Sequence, residues 1–224
     1  AGISVTRKGH VLEVGSGTPS TLLSLDQHNE PDWSAAIYFL FIKTLHKNDD
    51  LEIKGLKNDS LQGDSQISDL LKAIGIGLSF DTNGAQLTGH FLKPSRLQLD
   101  LLDRPDLAQP IACFCASQKI PFELSGLSTL RSKETDRIRA LETEFAQLGI
   151  EGQFQSNSIA VNEYPPSLLT SSQPLSTYSD HRMAMSLFFF MLHNPKIQLA
   201  DPGVVKKSFP GFWHQLEKLG YTFK

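Results

Sequence analysis

The chain has 224 residues, of which 40% are hydrophobic and 20% charged, and its formal net charge at pH 7 is -3. This length and apolar content suit one large domain or two small ones with a sizeable core. The slightly negative charge, together with the lack of basic runs interleaved with aromatic residues, argues against nucleic-acid binding.

The chain also lacks the sequence features of a membrane or secreted protein. Its most apolar segment, residues 183–192, is too short for a bilayer span, which needs about 20 apolar residues, and no signal pattern opens the sequence. Cys113 and Cys115 lie in an apolar run, where their spacing is typical of core packing rather than of a disulfide. Because span and signal patterns are both lacking, we expect a cytoplasmic protein. No His or Cys residues stand at metal-ligand spacing, so we expect no metal, and we expect no other cofactor.

The first predicted element is a β-hairpin near the N-terminus. Residues 2–5 form its first strand, residues 7–9 its turn and residues 11–14 its second strand. Residues 15–20, which are rich in Gly and Ser, indicate a linker between this hairpin and the following elements.

Downstream of the linker, three stretches repeat one plan, in which an Asp opens an apolar helix that is followed by a strand and an amphipathic helix. Asp32, Asp106 and Asp180 open the three units at even intervals of 74 residues. Alternation of apolar and polar residues predicts one strand in each unit. These strands are residues 51–56, 122–127 and 197–202. Each amphipathic helix is followed by a glycine, which suits the left-handed residue after a helix. These glycines are Gly75, Gly149 and Gly220.

Hairpin signatures follow the first two units, at residues 78–87 and residues 153–161. The third unit has no such hairpin after it, whereas the chain opens with a hairpin that has no unit before it. This is the pattern of an array interrupted within a longer protein. We therefore expect the chain to be a fragment.

Cationic side chains stand where three helices are predicted to begin. They are His181 with Arg182, Lys133 with Arg137 and Arg139, and Lys206 with Lys207. The first turn of a helix already carries unsatisfied N–H groups and the positive end of the helix dipole, so cations at this position indicate a nearby anion. The expected ligand is a small, multiply charged anion.

A plainer interpretation of these clusters remains open, since each could be a solvated surface on which Glu134 and Asp136 pair with neighbouring cations. Their recurrence at equivalent positions favours a binding site. Arg137 and Arg182 could each hold a carboxylate or phosphate through two parallel hydrogen bonds.

Three carboxylates among these cations are candidates for proton transfer. They are Asp106, Glu134 and Asp180. For Asp106, the alternative is a helix N-cap.

Several segments together resemble one enzyme family. The most specific are Lys-Glu-Thr-Asp-Arg at residues 133–137 and Asp-His-Arg-Met-Ala-Met at residues 180–185. Supporting segments, in the same order and with similar spacing, are residues 30–36, 61–64, 104–108, 201–202 and 207–210. These residues resemble the 5-enolpyruvylshikimate-3-phosphate synthases over almost the whole chain, but only their C-terminal half.

The resemblance implies an α/β (α+β) fold, in which repeated βαβαββ units build one of the two lobes of the inside-out α/β barrel of enolpyruvyl transferases. Residues 1–22 would be a hairpin and linker left from the N-terminal lobe. Residues 23–224 would be the C-terminal lobe, with three units of which the last lacks its hairpin. Substrates would bind in the cleft between the lobes.

The resemblance also implies transfer of the enolpyruvyl group from phosphoenolpyruvate to the 5-hydroxyl of shikimate 3-phosphate, with release of phosphate, in aromatic amino acid biosynthesis. Catalytic roles fall on Asp106, which would hold and deprotonate the hydroxyl, on Glu134, which would move a proton at the methylene carbon, and on its neighbour His181. Shikimate 3-phosphate would contact Asp106, Lys133 and Thr129, although Thr129 stands where the family usually has Asn. Phosphoenolpyruvate would contact Arg137, Arg182 and Lys207.

Two alternatives accompany this interpretation. A relative that acts on UDP-N-acetylglucosamine shares the fold and the chemistry, but the segments at residues 133–137 and 180–185 argue against it. A non-catalytic anion-binding lobe is the other alternative. We expect the isolated chain to be inactive, because it needs the N-terminal lobe of the same enzyme as its partner. We expect no nucleic-acid or membrane partner, and we expect the intact enzyme to be a monomer.

Overall fold

The computed structural model describes residues 4–16, 29–45, 53–169 and 173–223. The chain divides into two compact units, Ala1–Glu30 and Pro31–Lys224. The first unit contains the predicted hairpin, in which strands β1 (Val5–Lys8) and β2 (Val11–Val14) pair antiparallel. Most of the predicted linker, and the domain boundary predicted at residue 22, fall outside the described residues.

The first repeat of the second unit builds a three-stranded antiparallel sheet of order β3-β5-β4. Its elements are α1 (Trp33–Leu45), β3 (Ile53–Lys54), α2 (Ser68–Ala73), β4 (Ile76–Phe80) and β5 (Gly84–Gly89). The predicted hairpin at residues 78–87 is confirmed by the pairing of β4 with β5. Strand β3 ends earlier than predicted, at Lys54, because Gly55 turns left-handed at φ = 81° directly after it, and residues 51–52 of the predicted strand lie outside the described residues.

The second repeat is a complete βαβαββ unit. Its elements are β6 (Leu97–Asp100), α3 (Ala108–Ser117), β7 (Phe122–Ser125), α4 (Arg137–Gln147), β8 (Gln153–Phe154) and β9 (Ser158–Val161). Strands β6 and β7 are parallel and are joined through α3, while β7, β9 and β8 pair antiparallel. Strand β6 was missed by the sequence plan, which began each unit at its Asp.

The third repeat keeps its helices but not its predicted strand. Helices α5 (His181–Met191) and α6 (Phe212–Lys218) are present. The strand predicted at residues 197–202 is wrong, since it is reduced to one parallel bridge between Leu175 and Leu199. The reason is local, because Asp201 is left-handed at φ = 48° and the next residue, a proline, begins a 3-10 helix.

The apolar helices α1, α3 and α5 form the centre of the core. Every residue of α3 is buried, including the two free cysteines, as their spacing predicted. Phe41 of α1 stacks on Phe114 of α3 with ring centroids 4.2 Å apart, and Phe189 of α5 contacts both rings edge-on. The core therefore joins one helix from each repeat. Among the described residues, no helix is long and apolar enough to cross a membrane.

Candidate active site

Asp106 lies where the second apolar helix begins, in a 3-10 turn (Pro105–Leu107) that continues into α3. It does not cap the helix with its side chain, so the N-cap alternative is wrong. Its carboxylate instead faces three cations, at 3.2 Å from Lys133 Nζ, 2.8 Å from Arg137 Nη1 and 3.4 Å from Arg182 Nη2. Partial burial opposes ionisation, but the charges of Arg182, Arg137 and Lys133 lower the pKa of Asp106.

Arg137 is the first residue of α4, and its side chain is only 1% exposed. Its guanidinium binds three carboxylates: Nε donates to Asp180 at 2.7 Å, Nη1 to Asp106 at 2.8 Å and Nη2 to Glu134 at 2.7 Å. Because a buried cation needs close counter-charges, these partners determine whether Arg137 can stay inside the protein. Asp136, the other carboxylate of the segment, caps α4 by accepting from the Arg139 N–H.

Asp180 has two partners and is fully buried. Its Oδ1 accepts from the Arg182 backbone N–H at 2.8 Å and so caps α5, while its Oδ2 accepts from Arg137. The two residues before it, Tyr178 and Ser179, are both left-handed, at φ = 54° and 53°. Such backbone costs about 1–3 kcal/mol per residue and persists only where surrounding contacts hold it. This placement favours an anchoring role for Asp180 over the proton transfer considered from the sequence.

His181 and Arg182 form the first turn of α5. Partial burial lowers the pKa of His181, and its Nδ1 is buried without a hydrogen-bond partner in the described part of the chain. The neutral imidazole is therefore favoured at pH 7. The Arg182 side chain is 14% exposed and extends to Asp106. These two residues and the carboxylates around Arg137 thus belong to one cluster.

Lys207 and Thr129 lie at the margin of this cluster. Lys207 does not begin α6 but ends a 3-10 helix (Pro202–Lys207), and its Nζ donates to the Ser179 carbonyl at 2.7 Å. Thr129 is exposed on a 3-10 helix (Ser128–Ser132), and across the described ranges its hydroxyl makes no hydrogen bond to the cluster. The structure therefore brings together all the residues predicted for the site except Thr129.

An open cleft of about 400 Å³ adjoins the cluster. It is lined by Ser34, Gln62, Gly63, Asp64, Asp103, Arg104, Pro105, Asp106 and Lys133. Asp64 accepts a short hydrogen bond from the Ser34 hydroxyl, and partial burial raises the pKa of Asp64. The sequence assigned no site role to Ser34, Asp64 or Arg104. Their signal was present, because residues 30–36, 61–64 and 104–108 all belong to the segments that carry the family resemblance.

Within the ranges that the structure describes, no group of three or more His, Cys, Asp or Glu side chains is placed to hold a metal ion. The chemistry that the cluster itself offers is binding of small anions by Lys133, Arg137 and Arg182, next to carboxylates able to carry protons.

Comparison with known proteins identifies the family. The family model described as EPSP synthase (3-phosphoshikimate 1-carboxyvinyltransferase) matches residues 1–216. A 3-phosphoshikimate 1-carboxyvinyltransferase of Bacteroides fragilis is 38% identical over 195 residues, which cover 87% of this chain and 48% of the relative. That of Photorhabdus laumondii is 31% identical over 193 residues, which cover 85% of this chain and 43% of the relative. The chain thus spans about half the length of the curated relatives it matches.

Solved structures agree on the fold. EPSP synthase from Acinetobacter baumannii matches with a TM-score of 0.68 and 19% identity over 97% of this chain and 52% of that one. The enolpyruvyl transferase NikO from Streptomyces tendae matches with a TM-score of 0.56 and 17% identity over 98% of this chain and 50% of that one. The predicted α/β fold of the enolpyruvyl transferases is confirmed, and the matches do not favour the UDP-N-acetylglucosamine alternative.

Proposed function

Because the chain belongs to the EPSP synthase family, we propose that it is the C-terminal lobe of a cytoplasmic, monomeric enzyme of aromatic amino acid biosynthesis. The enzyme transfers the enolpyruvyl group from phosphoenolpyruvate to the 5-hydroxyl of shikimate 3-phosphate and releases phosphate. The observation that carries the proposal is the single cluster in which Asp106 faces Lys133, Arg137 and Arg182. Both substrates are small anions, which such a cluster suits.

Phosphoenolpyruvate binds to Arg137, Arg182 and Lys207 in this proposal. Arg137 is nearly buried and already holds Glu134 through Nη2, so a substrate carboxylate reaches it by taking the place of Glu134. Release from Arg137 leaves Glu134, whose side chain is 41% exposed, free to face the substrate methylene. Neutral His181 lies beside it and can share the proton.

Shikimate 3-phosphate contacts Lys133 and Asp106, which line the 400 Å³ cleft. The pKa of Asp106 is low because three cations face it, and a carboxylate held in this way is a weak base. Once the phosphoenolpyruvate anion neutralises Arg137 and Arg182, the pKa of Asp106 rises and the carboxylate can accept the hydroxyl proton. Thr129 can contribute a hydroxyl, over a shorter reach than the Asn usual in the family.

The reaction then proceeds by addition and elimination. Glu134, which takes up a proton from solvent when it leaves Arg137, gives that proton to the methylene carbon, and positive charge develops at the adjacent carbon. The substrate oxygen bonds to that carbon while its proton passes to Asp106. In the second stage the carbon–oxygen bond to phosphate breaks, phosphate leaves as an anion, and the new methyl group returns a proton to Glu134. The fixed charges of Arg137, Arg182 and Lys207 stabilise the departing phosphate.

The alternative of a non-catalytic anion-binding lobe is supported by one observation, since the chain spans only about half the length of its relatives. In the proposed enzyme, by contrast, the N-terminal lobe of the same protein is the partner required for catalysis. Closure of two lobes over the substrates would exclude water and hold the reacting atoms in line.

Complementation tests the proposal. Phosphate release from phosphoenolpyruvate and shikimate 3-phosphate is measured for the chain alone, for the chain with a separately produced N-terminal half, and for the full-length protein. We expect release from the second and third samples but not the first, and weak binding of phosphoenolpyruvate to the chain alone by calorimetry. Turnover by the chain alone would contradict the need for a second lobe. A full-length protein without turnover would favour the non-catalytic alternative.

A further inference from the structure

Glu144 is a fully buried carboxylate in the middle of α4, outside the cluster described above. Its Oε1 accepts from the Tyr178 hydroxyl at 2.6 Å. Its Oε2 accepts from the Ser176 backbone N–H at 3.1 Å and from Gln147 Nε2 at 3.0 Å. In the part of the chain that the structure describes, no Lys or Arg forms an ion pair with Glu144. Three neutral donors therefore hold this buried charge.

Two of the three donors belong to one loop, residues 176–179, which leads directly into the active-site helix α5. This loop contains the consecutive left-handed residues Tyr178 and Ser179. Side chains other than glycine rarely adopt this backbone, so external contacts must hold it. Glu144 supplies such contacts to Ser176, two residues before the left-handed pair, and to Tyr178, the first member of the pair.

Helix α4 thus holds the start of α5 at two points. Arg137 at its first turn binds Asp180, and Glu144 binds Ser176 and Tyr178. Residues seven apart in a helix lie on the same face about two turns apart, roughly 10 Å along the axis. The two contacts therefore hold the same short segment, residues 176–180, on both sides of its left-handed turn.

This segment and the first turn of α5 position several functional groups of the site. The Ser179 carbonyl accepts from Lys207 Nζ, and Asp180 binds Arg137. Arg182 is the second residue of α5. A rotation of the backbone at Tyr178 or Ser179 would move all of these groups together. A displacement of about 1 Å at a reacting centre can cost on the order of 100-fold in rate.

We propose that Glu144 is a positioning residue of the enzyme, whose carboxylate fixes the loop at residues 176–179 so that Arg182 and Lys207 meet phosphoenolpyruvate in the productive geometry. This inference rests on the proposed function. Packing alone does not account for Glu144, because burying a carboxylate without a cation is unfavourable and an apolar side chain would fill the space at lower cost. Burial also raises the pKa of Glu144, while the hydrogen bonds from Tyr178 and Ser176 favour its charged form.

The test uses Glu144→Gln and Tyr178→Phe in the full-length protein that contains this chain. A glutamine can accept through one atom only, so its NH₂ group faces one of the donors that the carboxylate bound. Phenylalanine keeps the ring and removes only the donated hydroxyl. Glu142→Gln, on the exposed face of the same helix, is the charge-matched control. Ile159→Val, at a buried residue of strand β9, is the control for a general loss of stability.

We expect KM for phosphoenolpyruvate to rise and kcat/KM for it to fall about 10- to 100-fold in Glu144→Gln, with a smaller change of the same kind in Tyr178→Phe. KM for shikimate 3-phosphate should stay within about twofold, because Lys133 and Asp106 lie outside the segment that Glu144 holds. Amide hydrogen exchange at residues 176–182 should quicken in both variants and in neither control.

A Glu144→Gln protein that melts lower, as Ile159→Val does, but keeps both KM values and its exchange pattern would overturn the proposal. If Glu144→Gln does not fold, Tyr178→Phe with unchanged kinetics and exchange would overturn it equally. A full-length protein that transfers no enolpyruvyl group would contradict the proposed function instead. Faster exchange limited to residues 176–182 in the two variants would then still support the role of Glu144 in holding this loop.

Discussion

Arg137 illustrates what can be read from a single residue and what cannot. The Lys-Glu-Thr-Asp-Arg segment predicted a functional arginine at the start of a helix, and the structure places it there. The sequence could not show that Asp106 and Asp180, which are 31 and 43 residues away, converge on its guanidinium. Such convergence depends on how the repeats pack, and local pattern carries no information about it.

The pairing of Asp180 with Arg137 predicts a large loss of stability when it is broken. Asp180→Asn removes the charge opposite a side chain that is 1% exposed, and breaking a buried ion pair costs about 3–5 kcal/mol. Urea unfolding of the chain measures this difference. Asp136→Asn is the control, because Asn caps helices nearly as well as Asp, and its loss should stay below about 0.5 kcal/mol. Equal losses in the two variants would show that the buried pair is not special.

His181 predicts a pH dependence of stability. Burial lowers the pKa of His181 and that of His193, so the unfolded chain binds more protons than the folded chain just below the ordinary histidine pKa of about 6.5. Stability should therefore fall as the pH falls from 7.5 to 5.5. The fall should be smaller in His181→Gln, measured by urea midpoints at both pH values, and unchanged in His214→Gln, whose side chain is exposed. An identical fall in His181→Gln would mean that His181 titrates normally.

Glu134 predicts a separation of binding from turnover. Glu134→Gln in the full-length protein keeps a hydrogen-bond acceptor for Arg137 but cannot carry a proton at the methylene carbon. We expect kcat to fall by about 100-fold or more with substrate affinity largely kept, measured by steady-state kinetics and calorimetry. A wild-type rate would reduce Glu134 to an ion-pair partner of Arg137.

Among the helices and strands, local signals were reliable where one residue type determines the backbone. The glycines predicted to follow the amphipathic helices all have positive φ, and the predicted hairpins are present. Strand β6 was not predicted, although Leu97 and Leu99 alternate with polar residues. It forms by pairing in parallel with β7, a non-local contact that its own short sequence does not indicate. The false strand at residues 197–202 had the right alternation but ended in a left-handed Asp and a proline.

Gly126, which ends strand β7, predicts an element-level defect when it is replaced. Its φ is +76°, and an added Cβ would meet the Leu102 backbone nitrogen at 2.3 Å. Gly126→Ala should cost well over the roughly 1 kcal/mol expected for backbone conformation alone, because β7 must shift away from the turn at Leu102. Gly220→Ala, at φ = +93° with open space around the site, isolates the conformational part. The two are compared by urea unfolding, and equal losses would contradict the steric argument.

For the molecule as a whole, the three repeats share one aromatic core. Phe114 contacts Phe41 and Phe189, so helices α1, α3 and α5 depend on one another through a few rings. The family and fold class could be predicted from the sequence because residues 133–137 and 180–185 are so specific. The packing that turns three separate helix starts into one site could not be predicted from them.

This shared core predicts cooperative unfolding of the unit Pro31–Lys224. Phe114→Ala should cost about 3–5 kcal/mol and lower the melting temperature without splitting the transition. Leu92→Ala, at a side chain 65% exposed, should cost less than about 0.5 kcal/mol. Calorimetry distinguishes the outcomes, since separate melting of the repeats would contradict a common core.

The carboxylates around Arg137 have a consequence for how ligands arrive. Lys133, Arg137 and Arg182 carry three positive charges, and Asp106, Glu134 and Asp180 carry three negative ones. The net charge of these six side chains is therefore close to zero, so they attract distant anions only weakly. Capture becomes a local exchange of one counter-ion for another, and the association rate should depend only weakly on ionic strength.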